Sequence, residues 1–388
     1  GCDKNLADSE EMLGLLTGSG HEIVDSEEEA EAIVVNTCCF IHDAKEESIN
    51  TILEMAEYKK SGICQVLIVT GCMAQRYKEE IVQEIPEVDA VLGTTSYDDI
   101  VQALNEASAG KHFEEFKDIN SLPEDSGRRV ITTGGHFGYL KIAEGCDKHC
   151  TYCIIPSLRG NFRSVPEERL LAQAEYMASQ GVKELILVAQ ETTVYGTDLY
   201  GKKTLHLLLK KLCQIKGIRW IRILYCYPEE IYDELIQVMK EEKKICHYLD
   251  LPIQHCSDRI LKRMGRRTSK AQLVEIITKL RKEIPDIVLR TSLITGFPGE
   301  TEEDHQELME FVDEMEFDRL GVFTYSPEED TPAATMKDQV PEELKEERRD
   351  EIMELQQEIS LDKGNQRIGQ EMLVMIEGKV SGESAYIG

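Results

Sequence analysis

The 388-residue sequence predicts an α/β chain. It is read as an open parallel α/β sheet at the N-terminus, a partial (β/α)6 barrel in the centre and a small β segment at the C-terminal end. Three observations predict this. Short apolar runs alternate with helical stretches over roughly the first 105 residues, a second series of six such runs fills about 190 residues, and an irregular polar stretch separates the two. Apolar strands alternating with helices imply parallel sheets covered on both faces.

In the first series, "SEEMLGLLTGSG" (9–20) predicts a helix capped by Ser9 and stopped at glycines. Strands are predicted at "AEAIVVNT" (30–37), "QVLIVTG" (65–71) and "DAVLGT" (89–94). Helices are predicted at "DAKEESINTILEMAEYKKSG" (43–62), "AQRYKEEIVQEIP" (74–86) and "SYDDIVQALNEA" (96–107). Residues 108–135 lose the rhythm and read as a linker. Six strands follow, at 139–145, 184–190, 220–228, 247–254, 287–299 and 319–327. Between them lie helical stretches such as "PEERLLAQAEYMASQG" and "KAQLVEIITKLRKEIP". Six right-handed βα units close toward a barrel, whereas a full barrel has eight. A charged helix at 341–369 leads to "LVMIEGKVSGESAYIG" (373–388), which reads as the opening of a β domain cut off early. The opening "GCDKN", without an initiator Met, likewise reads as trimmed. The domain boundaries are therefore 1–107, 108–135 (linker), 136–369 (barrel and following helix) and 370–388.

No run of 18 apolar residues and no signal peptide appears, so membrane-spanning and secreted classes are set aside. With 44 Lys and Arg against 73 Asp and Glu, the net charge is −29. Such a surface repels phosphates and attracts basic partners. Twelve cysteines on a long chain without a secretion signal point to metal binding in a reducing, cytoplasmic setting rather than to disulfides. No Ser–His–Asp or Cys–His arrangement, phosphate-binding loop or GxGxxG stands out; His42, His149 and His255 are dispersed. Asp250 reads as a satisfied polar residue of the barrel interior.

Cys146, Cys150 and Cys153 fall within "GCDKHCTYC", after the first barrel strand, where barrels carry their chemistry. Three thiolates hold three irons of a 4Fe–4S cluster and leave one open, whereas a zinc ribbon wants two CxxC pairs. A zinc site that borrows a distant ligand is the competing reading. Cys2, Cys38 and Cys72 each follow the end of a predicted strand, the first strand being taken to lie before Gly1. Strand ends of an open parallel sheet share one edge, so these three converge into a second site. Cys39 reads as packing, and Cys64, Cys213, Cys226, Cys246 and Cys256 as core or strand residues.

The spacing of Cys146, Cys150, Tyr152 and Cys153 resembles the CxxxCxΦC signature of the radical S-adenosylmethionine (SAM) superfamily. The resemblance implies that the open iron binds SAM and that SAM yields a 5′-deoxyadenosyl radical able to take hydrogen from an unactivated carbon. It places Tyr152 near the adenine, and Gly296, Pro298 and Gly299 of "TGFPGE" (295–300) against the SAM adenosine. Taken as a whole, the chain resembles the methylthiotransferases. That implies two 4Fe–4S clusters, held by Cys2, Cys38 and Cys72 and by Cys146, Cys150 and Cys153, a TIM-like radical SAM barrel, and the start of a truncated TRAM β domain.

Within that family "GCDKNLADSE" and "AQETTVYG" (189–196) resemble the branch that modifies an aspartate β-carbon in the twelfth small-subunit ribosomal protein. "PSLRGNFRS" (156–164) and "AYIG" (385–388) do so too. Glu191 stands where Asp is usual, and Val165 where an Arg is expected. The alternative is a tRNA adenosine methylthiotransferase, and the basic "RILKRMGRRTSK" (259–270) is the one stretch suited to RNA or to the substrate. The resemblance further implies a monomer, a basic ribosomal-protein substrate, an electron donor such as flavodoxin or ferredoxin, and no membrane; the sulfur donor stays unknown.

Overall fold

The computed structural model describes residues 1–124 and 127–388. The chain forms two compact units: Gly1–Val130 with Lys141–Ala172 and Ser326–Ala334, and Ile131–Leu140 with Gln173–Tyr325 and Thr335–Gly388. These cut the chain differently from the sequence boundaries. Compactness places the cysteine loop of residues 146–153 in the same unit as the N-terminal sheet.

The first unit opens with α1 (Asp3–Gly18), seven residues earlier than the Ser9 cap predicts. Cys2, extended at φ −103° and ψ 170°, precedes it. Then come β1 (Ala32–Thr37), α2 (His42–Ser61), β2 (Val66–Gly71), α3 (Cys72–Arg76), α4 (Lys78–Glu84), β3 (Ala90–Leu92), α5 (Ile100–Ser108) and β4 (Phe113–Glu115). The strands pair in parallel in the order β1-β2-β3-β4. All six residues of β2 are buried, because side chains alternate between two covered faces. Leu67 and Val69 join Ile33, Ile52 and Ile81 on one side, and Val66 and Ile68 join Met12, Leu92 and Ile100 on the other.

Two expectations are corrected here. The single helix predicted over 74–86 is two, broken at Tyr77, where the backbone leaves the helical region (φ −120°, ψ 34°). The break directs Tyr77 to the Glu329 carboxylate and Arg76 to the Glu329 carbonyl. The supposed linker supplies β4, a three-residue edge strand too short to show a period in sequence.

Strand β5 (Phe137–Lys141) belongs to the second unit up to Leu140. The chain then forms β6 (Ala143–Glu144), a loop with α6 (Ile155–Arg159), and β7 (Arg163–Ser164) in the first unit. β6 and β7 pair antiparallel, Glu144 opposite Arg163, so this ribbon clamps both ends of the loop that carries three cysteines.

Helix α7 (Glu167–Ser179) leads onward. The second unit continues with β8 (Glu184–Val188), α8 (Thr197–Tyr200), α9 (Leu205–Leu212), β9 (Trp220–Ile223), α10 (Asp233–Glu241) and β10 (Ile245–Asp250). It ends with α11 (Asp258–Arg263), α12 (Lys270–Glu283), β11 (Val288–Thr295), α13 (Glu302–Met315), β12 (Arg319–Thr324), α14 (Glu342–Asn365), β13 (Gly378–Lys379) and β14 (Tyr386–Ile387). The six strands follow sequence order from β5 through β8 to β12, with β5 and β12 left as edges, so the partial (β/α)6 barrel predicted from sequence is present. Along β11 every second residue is buried, and Leu289 and Leu293 are fully so. Each such leucine contributes about 1.5–3 kcal/mol. The C-terminal β segment is an exposed two-stranded hairpin, β13 antiparallel to β14. No helix among the described residues is long and apolar enough to cross a membrane.

The start of α13 is fixed by a capping box. Thr301 N and Oγ1 both donate to Asp304 Oδ2 at 2.9 Å, and Ser257 Oγ donates to Oδ1 at 2.7 Å. Burial raises the Asp304 carboxyl, but these bonds and one from Arg259 prevail and pull it down to about 2. A carboxyl depressed in the folded state stabilises above its unfolded value and loses that contribution as pH falls through the folded one. Asp304→Asn is therefore expected to destabilise by about 1 kcal/mol at neutral pH. The gap from wild type, measured by urea unfolding, should shrink as pH falls from about 4 toward 2.

Candidate metal centres

Cys38 follows the last residue of β1, and Cys72 follows the last residue of β2. The two strands run parallel in register up to Thr37 opposite Gly71, so the cysteines leave the sheet side by side. Gly71 is required at this edge. Its φ is +94°, and a Cβ there would lie 2.4 Å from Asn36 Oδ1 and 2.5 Å from the Thr37 carbonyl. Cys2 lies in extended backbone immediately before α1. Asn5, one turn into α1, anchors it there. Its Nδ2 donates to the Thr37 carbonyl at 2.8 Å, and its Oδ1 accepts from Cys2 Sγ at 3.5 Å. Cys38 is fixed by Ser48, whose Oγ accepts from the Cys38 amide and donates to its carbonyl.

A buried guanidinium joins these parts. Arg159 Nε donates to Cys72 Sγ at 3.3 Å, Nη2 to Asn5 Oδ1 at 2.6 Å, and Nη1 to Asp8 Oδ2 at 3.0 Å and Glu144 Oε2 at 2.9 Å. Lys141 Nζ pairs with the same two carboxylates. All four charged residues are less than a tenth exposed. Removing one partner from such a buried set costs about 3–5 kcal/mol. Burial pushes the Cys72 thiol up to about 11, against the pull of Arg159. Cys39 is fully buried and pushed up to about 12, with Cys72 and Cys38 adding to the effect of burial, and it packs in the apolar core as predicted.

The second set hangs on the β6–β7 ribbon. Gly145 has φ +74°, and a Cβ there would lie 2.1 Å from the Asn161 carbonyl, so only glycine lets the loop close behind Cys146. The Cys146 amide donates to the Gly160 carbonyl at 3.1 Å, and the Cys153 amide to the Cys150 carbonyl at 3.0 Å. The Lys148 amide points at Cys146 Sγ at 3.4 Å. Burial pushes the Cys153 thiol up to about 12, and its neighbours Cys150 and Cys146 add to this.

Both sets suit a cluster. They offer three soft thiols each, with a guanidinium or an amide aimed at sulfur, and bound iron would supply positive charge there. Among the described residues no three His, Cys, Asp or Glu side chains are gathered about a single-ion position.

The remaining site candidates stand as follows. Tyr152 is half-buried between Cys150 and Cys153. Gly296 packs on Lys345. The Pro298 carbonyl accepts from Arg263 Nε at 2.9 Å, the Gly299 carbonyl accepts from Arg259, and the Gly299 amide donates to the Asp338 carbonyl. What the structure gives this segment is anchorage; the adenosine contact rests on the resemblance alone. Glu300 precedes α13 and pairs with Arg348 at 3.0 Å. Glu191 accepts from the Thr193 amide and so shapes the loop after β8. Asp250 is satisfied by Arg290 and the Tyr225 amide, as predicted. In the basic stretch, Arg259 pairs with Asp304, Lys270 with Glu307, and Arg266 stacks 4.1 Å over Tyr227.

Sequence reasoning missed Asn5, Asp8, Lys141, Glu144 and Arg159. The available signal was the pair of charges inside the apolar run "YLKIAEG". Charges in a buried strand require partners.

Two family descriptions match the chain: the radical SAM superfamily over residues 140–312, and Uncharacterized protein family UPF0004 over residues 1–93. Among solved structures, the radical SAM methyltransferase TsrM from Kitasatospora setae shares the fold. It has a TM-score of 0.58 at 13% identity, covering 83% of this chain and 70% of that one. The chain is 66% identical over 388 residues to the ribosomal protein uS12 methylthiotransferase RimO of Lachnoclostridium phytofermentans, covering 100% of this chain and 88% of that protein. It is 53% identical over 390 residues to that of Clostridium perfringens, covering 100% and 87%. The chain belongs to the family of ribosomal protein uS12 methylthiotransferases, RimO, within the radical SAM superfamily.

Proposed function

We infer that this chain is a radical SAM methylthiotransferase that places a methylthio group on the β-carbon of an aspartate in ribosomal protein uS12. The observation that carries the reading is the presence of two separate three-thiol sets on a chain of this family. In this reading Cys146, Cys150 and Cys153 hold the cluster that binds SAM, and Cys2, Cys38 and Cys72 hold the one that carries the sulfur for transfer. When bound, the first cluster supplies an electron and an open iron for SAM, chemistry that no side-chain acid or base offers at an unactivated carbon. The protein buries Cys72, Cys146 and Cys150, leaves Cys2, Cys38 and Cys153 partly exposed, lets glycines close the chain beside Cys72 and Cys146, and aims Arg159 and the Lys148 amide at sulfur.

Charge favours a protein substrate. At −29 the chain suits a Lys- and Arg-rich ribosomal protein better than a phosphate backbone. The stretch 259–270, the one sequence feature that favoured RNA, has Arg259, Arg266 and Lys270 engaged in internal pairs. Tyr152, Gly296, Pro298 and Gly299 as SAM contacts belong to this proposal. So do a monomeric cytoplasmic enzyme, an electron donor such as flavodoxin or ferredoxin, and the three sequence-derived domains with the linker between the first two.

Anaerobically purified protein is expected to carry about eight irons, four per cluster; zinc alone would overturn the chemistry. Alanine at Cys146, Cys150 or Cys153 should abolish SAM cleavage. Alanine at Cys2, Cys38 or Cys72 should leave cleavage and stop sulfur insertion, and loss of cleavage there would contradict the division of labour. With SAM and reductant, mass spectrometry should find a methylthio gain on uS12; a gain on tRNA and not on uS12 would overturn the substrate.

A further inference from the structure

The buried network beside the N-terminal thiols has a net charge of zero: Arg159 and Lys141 against Asp8 and Glu144. The carboxylates alone would account for both cations. Yet Arg159 also turns its Nε to Cys72 Sγ at 3.3 Å and its Nη2 to Asn5, which itself touches Cys2. A guanidinium is a rigid, permanently charged fork, so its direction is a placement and not an average.

We propose that Arg159 is a positioning residue that sets the reduction potential of the cluster held by Cys2, Cys38 and Cys72, through its hydrogen bond to Cys72 Sγ, with Asp8 as the opposing charge. The proposal rests on that trio holding a cluster. Hydrogen bonds and positive charge at a cluster sulfur stabilise the reduced, more negative state and raise the potential. Asp8, bound to the far side of the same guanidinium, offsets part of that charge. The two residues therefore act in opposite directions on one atom. Lys141 is placed differently: its Nζ pairs with the Asp8 and Glu144 carboxylates and lies 5.2 Å from the centre of the Tyr97 ring.

The test uses the full chain with Cys146, Cys150 and Cys153 changed to Ala, so that any iron and any reduced-cluster paramagnetic resonance signal come from the N-terminal trio. In this background Arg159→Gln should shift the midpoint of a dithionite titration to more negative potential. Asp8→Asn should shift it to more positive potential. Arg159→Lys, which keeps the charge but not the fork, should fall between Arg159→Gln and the parent. Opposite shifts are not produced by loosened packing, which would move both substitutions the same way. Shifts of the same sign, or none, overturn the proposal. If Arg159→Gln loses its iron, the sign of the Asp8→Asn shift decides alone. A parent that binds no iron overturns the two-cluster reading, and this proposal with it.

Discussion

Arg159 makes four side-chain contacts of three kinds: to a thiol, to an amide and to two carboxylates. Each is made without water, since the residue is 2% exposed. A lone buried cation carries a desolvation cost of several kcal/mol, and a lone buried carboxylate carries the same. The first unit meets both by closing them on each other. The partners come from α1, from the strand end that carries Cys72, and from β6. The charge requirement therefore also fixes which chain segments can meet, and the N-terminal thiols are tied to the loop of the second set within one compact unit.

Glycine placement serves the same constraint. Gly71 and Gly145 each stand one residue before a candidate ligand, and each has backbone oxygen where a Cβ would go. A cluster ligand must leave its strand abruptly and return the chain close to its own backbone. A side chain at either position would collide with that oxygen. Backbone freedom thus sits where sulfur has to be aimed, while the flanking β1, β2 and β6 supply rigidity.

What could be read from sequence followed from local periodicity. The apolar runs at 65–71 and 287–299 contain β2 and β11, the six βα units are present, and Cys38 and Cys72 meet because parallel strands share an edge. What could not be read depended on partners far along the chain. Helix α1 begins at Asp3 because Asn5, Asp8, Glu10 and Glu11 all find buried partners, so the helix buries polar residues and amphipathic reasoning starts it too late. Arg159 and Asp8 lie 151 positions apart, and no periodic pattern links them. The basic stretch 259–270 looked like a surface for a ligand because its acidic partners, Asp304, Glu307 and Glu229, are remote in sequence.

The acidic excess of the chain makes local cations more significant. A net charge of −29 draws a basic protein, but negative surroundings also disfavour adding an electron to an anionic cluster. The two demands separate by distance. Surface charges are screened over about 8 Å at physiological ionic strength. A guanidinium 3.3 Å from sulfur, with water excluded, is barely screened at all. The chain can therefore carry a large acidic excess and keep a positive contact at the thiol, because one field dies away in solvent and the other acts where solvent does not reach.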